Sequence, residues 1–205
     1  MSQRIDSLTG LPKGMEEELK RVLAREEGVA VAVLDIDFFH DINVTHGHEQ
    51  GDKVLQVLAS LLAESFPNQA YRISGDEFGV LLPGVSLEQA FLRAETFRTR
   101  VESAADRFAM PDGRPVTVTV GVTQYPRDAK DGTGLLRKAD AALVAAKEAG
   151  RNQVALPPNE DMVMKSCYYP AASLRRLKLL AEKAGKKESA LLREALDDIL
   201  RKYDV

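Results

Sequence analysis

Two spacings of apolar residues alternate along the chain, and each change of spacing marks an element. Residues 15–26 carry apolar side chains at helical intervals among charged ones, which predicts an amphipathic helix stopping near Gly28. "VAVAVLDIDFF", residues 29–39, is apolar and β-branched until Asp35, the pattern of a central strand covered on both faces. A helical stretch through "GDKVLQVLASLLAESF" follows, then a hairpin over "AYRISGDEFGVLLPG". Residues 86–108 read as one helix, with Ser86 at its N-cap and Gln89 three residues on. "RPVTVTVGVTQYP" alternates as a strand, and residues 133–149 form a helix closed by Gly150. This order predicts an α/β (α+β) sheet domain containing an antiparallel hairpin, not a doubly wound parallel sheet. "ALPPNED", residues 155–161, has the Pro-rich, polar character of a linker. Beyond it come a short strand-like piece, "MVMKSCYYP", and two helices, "AASLRRLKLLAEKAG" and "ESALLREALDDILRKY". The expected organisation is a domain over 1–156, a linker over 157–161 and a small module over 162–205.

Composition narrows this picture. A chain of 205 residues, 44% hydrophobic, buries one sizeable core and leaves length for a second small unit. No apolar run approaches the roughly 20 residues of a membrane span, and the first residues lack the basic-then-apolar pattern of a secretory signal. A cytoplasmic protein with no membrane partner is expected. A single cysteine, Cys167, allows no internal disulfide and no thiolate cluster for zinc. The net charge is −3, split as +4 over residues 162–205 and −7 over residues 1–161. A basic tail on an acidic body suits an anionic partner, although a solvated helix face also produces such a surplus.

The chemistry lies in the acids. "RISGDEFGVLL", residues 72–82, puts Asp76 and Glu77 at a hairpin tip, where solvated polar residues are common in any case. Strand period places Asp35 and Asp37 on one face with Ile36 on the other. If these strand ends are neighbours, three or four carboxylates converge, which is unfavourable unless a cation neutralises them. Hard oxygen ligands suit Mg²⁺ (or Mn²⁺), and phosphoryl transfer is the chemistry that follows. His46 and His48 lack a partner set for a metal site.

"DSLTGLP" (6–12), "LDIDFFHDIN" (34–43), "GHEQGD" (47–52), "SGDEF" (74–78) and "AKEAGRN" (146–152) together closely resemble the GGDEF family of diguanylate cyclases, in order, over roughly residues 6–156. The resemblance implies a palm-like, mostly antiparallel central sheet wrapped by helices, as in nucleotide cyclases. It implies a metal held by Asp35, Asp76 and the carbonyl of Ile36, with Glu77 activating a ribose 3′-hydroxyl. It further implies that Asn43 and Asp52 read guanine, that backbone N–H groups around Phe38 and Phe39 cradle phosphates, and that Lys147 and Arg151 neutralise them. Read without the resemblance, those two cations simply complement a helix C-terminus. The implied reaction condenses two GTP into cyclic di-GMP and pyrophosphate in a homodimer of facing protomers.

Several positions depart from the family pattern. Ser74 replaces the first Gly of the signature, His40 replaces a usual Lys, Lys13-Gly14 replace Asn-Arg, and Val44 replaces a common Asp. Where many relatives carry an inhibitory Arg-x-x-Asp, this chain has Ser65-Phe66-Pro67-Asn68, so product feedback by that route is expected to be absent. The tail resembles a ribbon-helix-helix module, which implies dimerisation and double-stranded DNA as a partner. Met164, Ser166 and Tyr168 would point outward from the ribbon, and Lys186 and Lys187 would meet phosphate. A plain dimerisation module, or a helical hairpin packed on the larger domain, stays open beside that reading. So does an alternative function, in which the cyclase-like domain only senses a guanine nucleotide for a DNA-binding regulator.

Overall fold

A computed structural model of the chain describes residues 4–25, 28–157 and 169–184, with residues 188, 191, 192, 195, 198, 199, 202 and 203 beyond them. The chain divides into two compact units, Met1–Glu160 and Asp161–Val205. In the first, α1 (Met15–Leu23), β1 (Val29–Ile36), α2 (Phe39–His46), α3 (His48–Ser65), β2 (Ala70–Ser74) and β3 (Glu77–Pro83) lead to α4 (Leu87–Glu102) and α5 (Ala105–Phe108). Then come β4 (Val118–Tyr125), α6 (Gly132–Glu148) and β5 (Val154–Ala155). In the second unit the described helix is α7 (Ala171–Ala184).

The sheet runs β2-β3-β1-β4-β5. β1 is antiparallel to both β3 and β4, β2 is antiparallel to β3, and β5 adds to β4 in parallel. β1 is central because its apolar run can be buried on both faces, and every residue of it is buried. Ala30, Ala32, Leu34 and Ile36 pack with Val54, Leu58 and Leu62 of α3 and with Phe97 of α4. Val29, Val31 and Val33 face the other way, against Leu19 of α1 and Leu135, Ala139 and Leu143 of α6. Each of the Val, Leu, Ile and Phe side chains contributes roughly 1.5–3 kcal/mol when taken fully out of water, the alanines less. Asp35 continues the Val29-Val31-Val33 row, so the same alternation that builds the core delivers a carboxylate to the α6 side of the sheet.

Local expectations and structure part in three places. The single helix expected over 86–108 breaks after Glu102 and restarts as α5, which buries Phe108 and brings Arg107 to Glu64 of α3 at 2.9 Å. Burial of one aromatic outweighs continuation of a helix. The segment 39–46 is helical although it has no buried residue, so no apolar stripe announces it. Finally, residues 154–155 add a parallel strand to an otherwise antiparallel sheet. Ser86 does cap α4, accepting from the Gln89 N–H at 3.3 Å. Among the described residues no helix is long and apolar enough to cross a membrane.

Candidate active site

The antiparallel register of β1 and β3 sets Asp35 directly opposite Glu77. One residue earlier, Asp76 sits in the turn that Gly75 opens at φ +45°, a conformation glycine adopts without strain. Three acids therefore share one end of the sheet. Asp35 is buried, and burial first, then Asp76 and Glu77, push its carboxyl up to about 6 even though Lys147 pulls the other way. The Lys147 Nζ lies 2.9 Å from Asp35 Oδ2, so an ammonium from α6 stands where the three acids call for positive charge.

Asp37 does not join this group. Its carboxylate accepts from the Thr117 hydroxyl at 2.7 Å, the Thr119 hydroxyl at 2.6 Å and the Asn152 N–H at 3.0 Å. The convergence expected of up to four carboxylates is thus one of three, and the fourth braces the segment that follows α6. That segment turns through Arg151 and Asn152, both at positive φ, and sets the Arg151 guanidinium 4.6 Å from the centre of the exposed Phe38 ring. Phe38 is itself left-handed at φ 57° and leads into α2 at Phe39. Lys147 thus meets Asp35 near the end of β1, and Arg151 meets Phe38 just beyond it.

Asn43 and Asp52 are brought together by a missing side chain. Gly51 lies against Asn43, whose Oδ1 would overlap any Cβ placed there, so α2 and α3 pack with Asn43 beside the residue preceding Asp52. Asn43 is half-buried and Asp52 exposed. Behind the hairpin, the Arg72 guanidinium stacks on Phe78 at 4.3 Å and donates to the Gly75 carbonyl, while its Nη1 has no hydrogen-bond partner. Burial lowers the Arg72 pKa, and the acids Asp6, Asp76 and Asp52 oppose that shift. The "DSLTGLP" segment also has a structural role. Asp6 accepts from the Thr9 N–H and hydroxyl at 3.0 and 2.7 Å and pairs with Lys13 at 3.1 Å, and the Pro12 carbonyl accepts from the Arg72 N–H.

Sequence reasoning missed three participants. Arg72, two residues before Ser74, holds the turn shut. Asp140 lies seven residues before Lys147, two turns back on the same face of α6, and burial followed by Glu77 raises its pKa. With Glu77, Arg72, Lys13, Met15 and Leu136 it lines a cavity of about 390 Å³. Ser74 donates to Glu77 Oε2 at 3.1 Å. The i,i+7 spacing of Asp140 and Lys147 was the signal available for the second; the other two depend on a turn geometry that residue order does not display.

The residues fit a divalent cation as a donor set. Two carboxylates and a main-chain carbonyl are hard oxygen donors, and the Lys147 ammonium at 2.9 Å from Asp35 shows that the site accommodates positive charge. Among the described residues no cluster of three or more His, Cys, Asp or Glu side chains forms a metal cage. His46 pairs with Asp112 at 3.3 Å, and His40 and His48 are exposed. Met164, Ser166, Tyr168, Lys186 and Lys187 lie outside the described residues.

A mixed sheet with helices on both faces, carrying acids at a hairpin tip beside the end of its central strand, defines the palm-like class of nucleotide-handling domains. Within that class the chain belongs to the family "Diguanylate cyclase, GGDEF domain", whose model matches residues 3–153. It is 37% identical over 139 residues to diguanylate cyclase A of Treponema denticola, a match covering 66% of this chain and 37% of that protein. A match to the uncharacterized protein YhcK of Bacillus subtilis, 38% identical over 134 residues, likewise spans 64% of this chain and 37% of the relative. The chain thus spans well under half the length of these curated relatives. Among solved structures, the GGDEF domain of DgcB from Caulobacter crescentus, in complex with c-di-GMP, superposes with a TM-score of 0.69 at 31% identity, covering 77% of this chain and 99% of that one. The active GGEEF domain of a diguanylate cyclase from Vibrio cholerae gives a TM-score of 0.65 at 27% identity, covering 71% and 96%.

Proposed function

We propose that this chain is a diguanylate cyclase that condenses two GTP into cyclic di-GMP with release of pyrophosphate. The observation that carries the reading is the β1–β3 register, which sets Asp35 against Glu77 with Asp76 in the adjoining turn. Asp35, Asp76 and the Ile36 carbonyl would hold Mg²⁺ or Mn²⁺. When bound, the cation supplies Lewis-acid polarisation of the α-phosphate and neutralises triphosphate charge. Asn43 and Asp52 select guanine, because a carboxylate accepts from a ring N–H and an exocyclic amine that adenine does not offer together. Backbone N–H groups at Phe38 and Phe39 hold the phosphates, and Lys147 and Arg151 supply their counter-charge. Lys147 leaves Asp35 as nucleotide enters.

Glu77 takes the proton of the 3′-hydroxyl. The freed oxygen attacks the α-phosphorus of the facing GTP in line, the bond to the β-phosphate oxygen breaks, and pyrophosphate departs; a second, symmetric round closes the ring. One site holds one GTP, so two protomers must face each other. The C-terminal unit is the proposed dimeriser. On α7, Leu174, Leu177 and Leu180 recur at intervals of three, and Leu174 and Leu180 are 42% and 53% exposed. Such a stripe suits a second copy. Through Met164, Ser166, Tyr168, Lys186 and Lys187 the same dimer would meet double-stranded DNA. Ser65 accepts from Arg100 at 2.8 Å, so the slot of the familial inhibitory motif is engaged within the fold, in keeping with turnover free of feedback there.

The test is incubation of the full chain with GTP and Mg²⁺, with and without duplex DNA, with products resolved by mass. Cyclic di-GMP is the expected product, and Glu77→Gln should bind GTP while losing turnover by at least about a hundredfold. A rate that rises on duplex DNA supports the tail's DNA role. The exposed His40 and the Lys147–Asp35 pair favour a second reading, a guanine-nucleotide sensor. GTP binding with no product under any condition would select it.

A further inference from the structure

We infer that Ser74 is a positioning residue that holds the Glu77 carboxylate in one orientation. The inference rests on the role given to Glu77 above. Ser74 departs from the glycine of the family signature, and the fold uses the side chain that this departure supplies. A register shift between Arg72 and Ser74 bulges β2, so that Arg72 opposes Phe78 while Ser74, not Ile73, opposes Glu77. The bulge brings the hydroxyl alongside the carboxylate, where it donates to Oε2 at 3.1 Å. Arg72 locks the turn through the Gly75 carbonyl, which fixes where the hydroxyl stands.

The surroundings give this contact its consequence. The groups facing Glu77 across the strand and from α6 are Asp35 and Asp140, both of which feel its charge as a repulsion. The cavity beside it leaves the side chain room to swing. Among the described residues no donor other than Ser74 reaches the Glu77 carboxylate. Engaging Oε2 leaves Oε1 to meet the incoming hydroxyl, so the contact selects which oxygen accepts the proton. Ser74 acts through Glu77, which places its effect on turnover and not on GTP affinity.

The test compares Ser74→Ala, Ser74→Gly and Ser74→Thr with the unchanged full chain. One charge-assisted hydrogen bond at a solvent-exposed site, discounted for screening, corresponds to roughly a fivefold fall in kcat for the Ala and Gly variants. KM for GTP should be unchanged, and Thr, which keeps the hydroxyl, should restore kcat to within about twofold. Independently of turnover, side-chain scalar couplings of Glu77 should report a single χ1 rotamer in the unchanged chain and rotamer averaging in Ser74→Ala. Averaging already present in the unchanged chain overturns the inference, as does an equal kcat across the series. If the unchanged chain makes no cyclic dinucleotide while its Glu77 couplings are fixed and those of Ser74→Ala average, the hold of Ser74 on Glu77 stands and the cyclase assignment falls.

Discussion

Asp35 is a carboxylate whose burial is costly to the fold. Its carboxyl, pushed up to about 6 by burial and by the neighbouring acids, lies above the ordinary aspartate value near 3.8. Between those values the folded state holds the proton more tightly than the unfolded chain, so this group favours the fold at low pH. Its contribution declines as pH rises through that window and levels off above about 6. Asp35→Asn removes the term. Thermal midpoints of the variant, measured without metal from pH 4 to pH 7, should therefore gain on those of the unchanged chain as pH rises; parallel curves would place the burial cost elsewhere. The carboxylates at 35, 76 and 77 were legible from strand period and hairpin position. That Asp37 serves two threonines and a backbone N–H was not, because Thr117 and Thr119 lie 80 and 82 residues away and meet it only across β1–β4.

At the scale of elements, two glycines separate function from stability. At Gly51 a Cβ would overlap the end of the Asn43 side chain, a flexible group that can swing aside. Gly51→Ala should leave the urea midpoint nearly unchanged and displace Asn43, raising KM for GTP about tenfold, or about 1.4 kcal/mol, with little change in kcat. At Gly121 a Cβ would overlap backbone atoms, the Ala139 carbonyl and the Leu143 N–H of α6, which have nowhere to go without moving the helix. Gly121→Ala should cost about 3 kcal/mol in urea unfolding. It should also impair activity, since α6 carries Lys147. A small loss at Gly121 would mean that α6 packs less closely than the structure describes. Both glycines were visible as letters, and neither was assigned a role. The close approach each permits joins α2 to α3 and β4 to α6, and nothing in the letters around a glycine says which neighbour will use the space.

The whole molecule carries the prediction about pairing. If the unit beyond residue 160 holds two protomers together, a chain cut after Pro158 should lose specific activity at low protein concentration and recover it as concentration rises. Equal activity at every concentration would assign dimerisation to the first unit. In the full chain, apparent mass in solution should fall to that of a monomer when Leu174 and Leu180 are both changed to Ser.

Periodicity and local signals in the sequence determined the elements that bury a clear apolar face. The central strand, the long helices on both sides of it, the hairpin and the cap of α4 follow from patterns complete within a few residues, because burial of one face is a local requirement. The acids were equally readable, since strand period dictates the face they share. Tertiary structure alone decided what happens where segments far apart in the chain meet. It broke the helix at residue 103 to bury Phe108, made a helix of 39–46, turned Asp37 into a brace and Arg72 into a lock, and set Ser74 against Glu77 through a bulge. In each case the deciding energy is a packing contact or hydrogen bond between segments, and such terms exist only once the chain has folded.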